Sequence, residues 1–278
     1  MKVGTVALIG RPNTGKSTLV NNLVGHKVAI TSPLPQTTQF PIYAVFENEE
    51  GQIIFVDTPG IFTASRKTKV ENLNQVAKKI IHEDIDVIMY VVDHTRKRGD
   101  EDNKVLGMLR KVDVPKILVV NKIDIKEPSF RAQYRFLEDE FDGVVEVSAL
   151  KPMNLGAIPV EIFKYLKEGK RTVERADMAV PALNLTSILH VEELIREKAF
   201  LTLRKEVPYS VRVVVDEIKK RRNGIMYIKA RLITYERYKK MIIGAGARRI
   251  KQIGSMARKE LEVSTGKKVF LDLTVEEE

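Results

Sequence analysis

The run Gly10-Arg11-Pro12-Asn13-Thr14-Gly15-Lys16-Ser17 matches G-x-x-x-x-G-K-[ST] and lies between an apolar run and an amphipathic one. In that setting glycines let backbone amides wrap around phosphate oxygens, and the N-terminus of the following helix adds oriented positive charge. Gly10, Pro12, Asn13, Thr14 and Gly15 form the cradle. Lys16 reaches the β- and γ-phosphates, Ser17 ligates Mg²⁺, and Thr18 carries the site into the first helical turn. Asp57 closes the run IIFVD and opens DTPG. Alone, those four residues are an ordinary turn. After a buried strand and downstream of a phosphate loop, the Asp57 carboxylate is placed to hold Mg²⁺ through water and the Gly60 amide to contact a γ-phosphate.

A third motif, Asn121-Lys122-Ile123-Asp124, follows the apolar run KILVV. A carboxylate at Asp124 accepts two hydrogen bonds from the N1–H and N2–H₂ edge of guanine, and adenine would leave it unpaired. Sites with such polar complementarity discriminate by roughly 10⁴–10⁵. Lys122 lays its aliphatic stem over the base, and Asn121 ties this loop to the phosphate loop. Ser148 and Ala149 offer backbone amides to the guanine oxygen. The three motifs in this order predict GTP and GDP as ligands.

The elements that must position these residues are legible as strands and helices. Strands are expected at Val3–Ile9, Ile42–Glu47, Gln52–Asp57, Asp86–Asp93, Lys116–Asn121 and Gly143–Val147. Helices are expected at Lys16–Val24, Val70–Glu83, Glu101–Lys111, Phe130–Glu140 and Leu155–Leu166. That alternation predicts an α/β domain over residues 1–168, with a six-stranded mixed, mostly parallel sheet covered by helices on both faces. Residues 169–190 read as a polar linker. From 191 to 278 the order is helix, strand, strand, helix, helix, strand, an α+β domain whose terminal VEEE is expected to fray.

Of the 278 residues, 47 are Lys or Arg and 37 Asp or Glu. The excess is uneven: 24 basic against 22 acidic side chains over 1–170, and 23 against 15 over 171–278. The second half is therefore expected to meet an anion, with a solvated Lys/Glu-rich surface as the alternative. The chain has no cysteine, which excludes disulfides, zinc–thiolate sites and thiol nucleophiles. No stretch approaches the ~20 apolar residues of a membrane span, and a cytoplasmic location is expected. The four histidines have no metal-ligand spacing. Tyr227, Tyr235 and Tyr238 could stack on bases, but core packing is their default reading.

GRPNTGKST, SPLPQTTQ, DTPGI, NKID and SAL together resemble the Era family of bacterial GTPases, of the TrmE/Era type. In the second half, LIREKAFLTLRKEVPYSV and IIGAGARRIKQIGSMAR resemble that family's type II KH domain. The resemblance implies GTP hydrolysis and a KH domain that binds small-subunit (16S) ribosomal RNA, in assembly of the 30S subunit. It implies a monomer, with peripheral contact at the inner face of the membrane as an alternative. Thr38, with Thr37 second, is the candidate that reaches Mg²⁺ and the γ-phosphate. The residue after DTPG is Ile61, where related enzymes place a water-orienting glutamine. The resemblance supplies a substitute: Asn13 helps hold K⁺, which neutralises developing phosphate charge. The alternative is an asparagine chosen for its turn conformation. Lys16, Thr38, Gly60 and Asn13 are thus the catalytic candidates for slow, K⁺-stimulated hydrolysis; the alternative is a GTP-dependent switch or RNA chaperone with negligible hydrolysis whose second domain contacts protein or a membrane surface. The RNA-binding candidates are Ile243, Gly244, Ala245, Gly246, Ala247, Arg248, Arg249 and Lys251. Ala247 stands where the KH loop G-x-x-G has its second glycine.

Overall fold

A computed structural model describes residues 1–25, 42–58, 85–173, 187–221, 224–265 and 267–278. The chain divides into two compact units, Met1–Asn184 and Leu185–Glu278.

The first unit is built on β1 (Lys2–Ile9), β2 (Ile42–Glu47), β3 (Gly51–Asp57), β4 (Val87–Asp93), β5 (Lys116–Asn121) and β6 (Gly143–Glu146). They lie in the order β2-β3-β1-β4-β5-β6. β2 alone of these runs antiparallel, against β3. Its helices are α1 (Lys16–Val24), α2 (Asp100–Leu109) and α3 (Ala157–Phe163). Every residue of β4 is buried, as is Val6–Ile9 of β1, because central parallel strands are covered on both faces. The parallel arrangement brings Asp57, Asp93 and Asn121, the last residues of β3, β4 and β5, to one carboxyl edge. The pairings Leu8↔Asp57 and Asp93↔Asn121 set their register.

In this unit the structure departs from the sequence reading at four places. A two-residue seventh strand, β7 (Lys167–Glu168), pairs antiparallel with Lys2 and Val3. It is too short and too polar to carry an alternating pattern; the Glu168 carboxylate binds the amino terminus at 2.8 Å instead. Residues 171–173, expected in the linker, are held on the β2–β3 hairpin. Fully buried Gln52 accepts from the amides of Thr172 and Val173 at 3.0 Å, and Arg171 grips Glu47 at 2.7 and 3.0 Å. Arg131–Glu140 winds as a 3₁₀ helix rather than an α-helix. Its buried residues, Tyr134 and Leu137, are three apart, the spacing that eclipses at three residues per turn. α3 is shorter than expected: Lys164 and Tyr165 donate to the carbonyls of Glu161 and Ile162, tightening its last turn. The helix expected at Val70–Glu83 lies outside the described residues.

The second unit comprises α4 (Ser187–Thr202), β8 (Arg212–Lys220), β9 (Met226–Thr234), α5 (Glu236–Ile243), α6 (Arg248–Thr265) and β10 (Val269–Glu277). The sheet order is β10-β9-β8, with β8 antiparallel and β10 parallel to β9. Ile228, Ala230 and Leu232 of β9 pack with Ile195, Ala199, Ile242, Ile253 and Ala257 of the helices. The terminal acidic residues do not fray: Glu276 and Glu277 pair with Ile233 and Thr234. Arg231 fixes them by reaching Asp216 on β8 at 2.6 Å and Glu276 on β10 at 2.8 Å.

Two glycines of the first unit differ in what a methyl group would meet. At Gly51 a Cβ would lie 1.9 Å from the Lys2 carbonyl oxygen and 2.9 Å from the Phe163 ring. At Gly107, exposed within α2, it would meet nothing within 4 Å. Gly51→Ala is therefore expected to destabilise the unit by ~1–3 kcal/mol, and Gly107→Ala to stabilise it by ~0.5–1 kcal/mol. Calorimetric melting of the two variants checks both signs.

Candidate functional site

The loop between β1 and α1 is held in left-handed backbone at two points, Asn13 (φ 62°) and Gly15 (φ 95°). Asparagine tolerates that region through local hydrogen bonding. At Gly15 no other residue fits, because a Cβ would lie 2.3 Å from Nδ2 of Asn121. Lys16 turns back over the loop and donates to the carbonyls of Gly10 and Arg11 at 3.1 and 2.9 Å. Ser17 donates to Asp57 at 2.5 Å, while the second Asp57 oxygen is buried with no hydrogen-bond partner among the described residues. Thr14 donates to the Arg11 carbonyl at 3.1 Å, and the Thr18 carbonyl accepts from Asn22 at 3.2 Å.

Lys16 and Asp57 are both almost wholly buried. Burial pushes the Lys16 ammonium down to about 8 and the Asp57 carboxyl up to about 6, and in each case the opposite charge of the other resists. An open carboxylate oxygen beside a serine hydroxyl is the hard, oxygen-only donor set that suits Mg²⁺. A polyphosphate would meet the Lys16 charge and the first amides of α1, which no intrahelical acceptor satisfies.

Asn121 joins this loop to the second half of the site. Its Nδ2 donates to the Thr14 carbonyl at 2.8 Å, and its Oδ1 accepts from the amides of Lys122 and Ala149 at 2.7 and 2.9 Å. Ser148 donates to Asp124 at 2.7 Å, leaving the other Asp124 oxygen 3.9 Å from Lys151. The amides of Ser148 and Ala149, expected to meet the guanine oxygen, are instead engaged by the Met153 carbonyl at 3.1 Å and by Asn121, because this loop closes on itself and on β5. Thus Gly10–Thr18, Asp57, Asn121, Lys122, Asp124, Ser148 and Ala149 converge at the carboxyl edge of the sheet. Thr38 and Gly60 lie outside the described residues, as does Ile61.

The segment after β4 belongs to the site although no motif marks it. Asp93 accepts from Lys122 Nζ at 2.6 Å and from the Thr95 hydroxyl at 2.6 Å, which hold its carboxyl below the ordinary range against the cost of burial. His94 bonds the Lys122 carbonyl at 3.0 Å. Arg96 donates to the Pro12 carbonyl at 3.3 Å. Arg11 reaches Glu101 at 2.9 Å and buried Asp102 at 2.7 Å, and Asp102 also accepts from Tyr90 and the Gly99 amide. The available signal was positional: Asp93 ends its strand as Asp57 and Asn121 end theirs.

In the second unit, the loop Gly244–Ala247 joins α5 to α6, with Gly244, Gly246 and Ala247 at φ 72°, 57° and 60°. Ala247 adopts the left-handed backbone that a second glycine would take. Arg248, Arg249 and Lys251 are exposed at the start of α6, next to half-buried Ile243 and exposed Ala245. Arg249 donates to the Met241 carbonyl at 2.9 Å, closing the end of α5. Among the described residues no cluster of His, Asp and Glu could hold a metal ion, and no helix is long and apolar enough to cross a membrane.

Residues 5–122 match the family described as 50S ribosome-binding GTPase, and residues 206–277 match the KH domain. The GTPase Era of Halothermothrix orenii is 43% identical over 277 residues, covering 99% of this chain and 92% of that protein. That of Caldanaerobacter subterraneus subsp. tengcongensis is 40% identical over 284 residues, with coverage of 99% and 92%. The crystal structure of Era in complex with MgGDPNP and nucleotides 1506–1542 of 16S ribosomal RNA superposes with a TM-score of 0.90 at 37% identity, over 100% of this chain and 94% of that one. A variant of Aquifex aeolicus Era bound to GDP and tetrafluoroaluminate gives 0.92 at 37% identity, over 100% and 94%. With relatives matching along its whole length, at the phosphate loop and the KH fold alike, the chain belongs to the Era family of GTPases.

Proposed function

We propose that the chain binds GTP and GDP with Mg²⁺, hydrolyses GTP slowly, and binds small-subunit ribosomal RNA through its KH unit in assembly of the 30S subunit. The observation that carries the nucleotide reading is the Asn121 side chain, which joins a phosphate loop to a guanine-type base loop. Lys16 and the α1 amides bind the phosphates; Asp124 reads the base, on a loop held by the bond from the Ala149 amide to Asn121. Ser17 and the open Asp57 oxygen would hold Mg²⁺, which when bound withdraws charge from the β- and γ-phosphates. Thr38 completes the metal site and Gly60 contacts the γ-phosphate in the GTP state. The RNA reading is supported by the solved Era complex with 16S ribosomal RNA and by exposed Arg248, Arg249 and Lys251 beside the Gly244–Ala247 loop. The unit Met1–Asn184 acts as the switch and Leu185–Glu278 as the RNA reader, in a cytoplasmic monomer.

Ile61 has no side-chain group to orient water, so charge stabilisation falls to a K⁺ held through Asn13. Turnover measured in KCl is expected to exceed that in NaCl at equal ionic strength. Equal rates would remove K⁺ from the mechanism, and no hydrolysis in KCl with RNA present would leave a binding protein rather than an enzyme. For the RNA reader, reversing the charges of Arg248, Arg249 and Lys251 is expected to weaken binding to the 3′ end of small-subunit ribosomal RNA. It should also flatten the plot of log affinity against log salt by about 2, at ~0.7 per lost phosphate contact. Filter binding across a salt series measures both.

Affinity and stability should respond to pH in opposite senses. Asp57 must be ionised for Mg²⁺ and Lys16 protonated for phosphate, so Mg·GDP affinity is expected to peak between the two values, about 6 and about 8. The nucleotide-free fold behaves inversely. From 3.8 to about 6 the folded Asp57 binds more proton than the unfolded chain, and stability falls as pH rises. From about 8 to 10.5 the unfolded Lys16 binds more, and stability rises with pH. Melting and nucleotide titration over one pH series should therefore show weakest stability where binding is tightest.

A further inference from the structure

The open face of the KH sheet carries an aromatic and cationic cluster that the loop Gly244–Ala247 does not use. Along β9, Ile228, Ala230 and Leu232 face the helices, so Tyr227 faces the other way. On β10 Val269 is in the core and its neighbour Phe270 is half exposed, directly paired with Tyr227. The two rings stack with centroids 5.9 Å apart and planes at 14°. Arg221 lies over both, 4.5 Å from the Tyr227 centroid and 5.0 Å from that of Phe270, and Lys219 stands 5.2 Å from Tyr227. Lys220 and Lys268 are exposed at the same end of the sheet, where the Met226 amide bonds the Lys268 carbonyl. The nearby carboxylates are engaged: Asp272 accepts from the Tyr227 hydroxyl at 3.0 Å and Glu217 pairs with Lys219 at 2.9 Å. Arg221 has no ion pair among the described residues.

From these contacts we propose that Tyr227, Phe270 and Arg221 form a stacking platform for single-stranded RNA, separate from the Gly244–Ala247 loop. The proposal rests on the reading of this unit as an RNA binder and adds a second contact to it. Bases stack on aromatic rings and on guanidinium planes alike, and flanking lysines track the backbone. An apolar protein partner fits less well, because Phe270 is a single half-exposed ring among cations rather than a broad apolar patch. Lys268 follows the C-terminal end of α6 and the loop precedes its N-terminal end. The 18 residues of α6 span ~27 Å, so the platform takes nucleotides beyond those the loop grips.

The chain contains no tryptophan, so Phe270→Trp introduces a single tryptophan at the platform, excited selectively over the tyrosines at wavelengths beyond their absorption. In the full-length chain, RNA from the 3′ end of the small subunit and oligouridylate are expected to quench that fluorescence. Phe270→Ala and Arg221→Glu should each lower RNA affinity by about tenfold, with GTP turnover and the melting midpoint unchanged. Phe270→Trp should bind as tightly as the unsubstituted chain. Unquenched fluorescence, with RNA affinity intact in all three variants, would overturn the platform and leave the RNA reading standing. Failure of the unsubstituted chain to bind RNA would overturn both. Quenching by polyglutamate but not by RNA would assign the face to an acidic protein and overturn the proposal.

Discussion

One side-chain amide holds the candidate nucleotide site together. Asn121 spends its donor on the Thr14 carbonyl and its acceptor on the Lys122 and Ala149 amides. It thereby fixes three loops that are 107 and 28 residues apart in sequence. The amide is 1% exposed, so losing a partner would leave a buried polar group unmatched, at ~1–3 kcal/mol. The same group dictates Gly15, since its Nδ2 occupies the volume a Cβ would need. A residue on β5 thus sets the identity of a residue in the loop after β1.

Around that amide, the segment 93–102 acts as an external brace. It touches the base loop through Asp93 and His94 and the phosphate loop through Arg96, Glu101 and Asp102. Such cross-ties matter because the cradle itself contains left-handed backbone at Asn13 and Gly15 and at Lys122 (φ 72°). Non-glycine residues in that region cost about 1–2 kcal/mol each unless their surroundings impose it. The buried Lys16–Asp57 pair adds to the cost of the empty site, because burial works against both charges. Ligand binding is favoured to the extent that phosphate and Mg²⁺ supply what these groups lack, so part of the affinity is already built into the unliganded fold.

The legible parts of the sequence are those where a ligand or a core dictates residue type at fixed spacing. On the proposed reading phosphate geometry determines Gly10 to Ser17, and two-sided burial determines the apolar runs of β1, β4 and β5. Asn121 and Asp124 were readable because they follow such a run directly. Arg11 and Asp102 were not, since their pairing spans 91 residues and neither belongs to a repeating pattern. Gln52 was equally hidden: a glutamine in a strand reads as solvent-facing until residues 172–173 arrive to satisfy its amide. The acidic tail misled for a related reason. VEEE reads as frayed when taken alone, but Arg231, 45 residues earlier, supplies its counter-charge across the sheet. Local pattern reports what a segment prefers, whereas these residues are fixed by distant partners.

The second unit sharpens that distinction at Ala247. By sequence this alanine looks like a loss of the freedom that a KH loop needs. The backbone nevertheless takes φ 60° there, next to Gly246 at 57° and after Gly244 at 72°. The turn is imposed by its ends: α5 stops at a Gly244 amide bonded to Lys240, and the Ala247 amide bonds back to Gly244. Arg249 caps the Met241 carbonyl from the other side. The loop's shape therefore survives the substitution, and what changes is the methyl group at its C-terminal edge, where a glycine would let a nucleic-acid backbone approach more closely. A unit with a less permissive loop has more to gain from cations and rings elsewhere on its surface. This is the physical reason to look to the far end of α6 for the rest of its affinity.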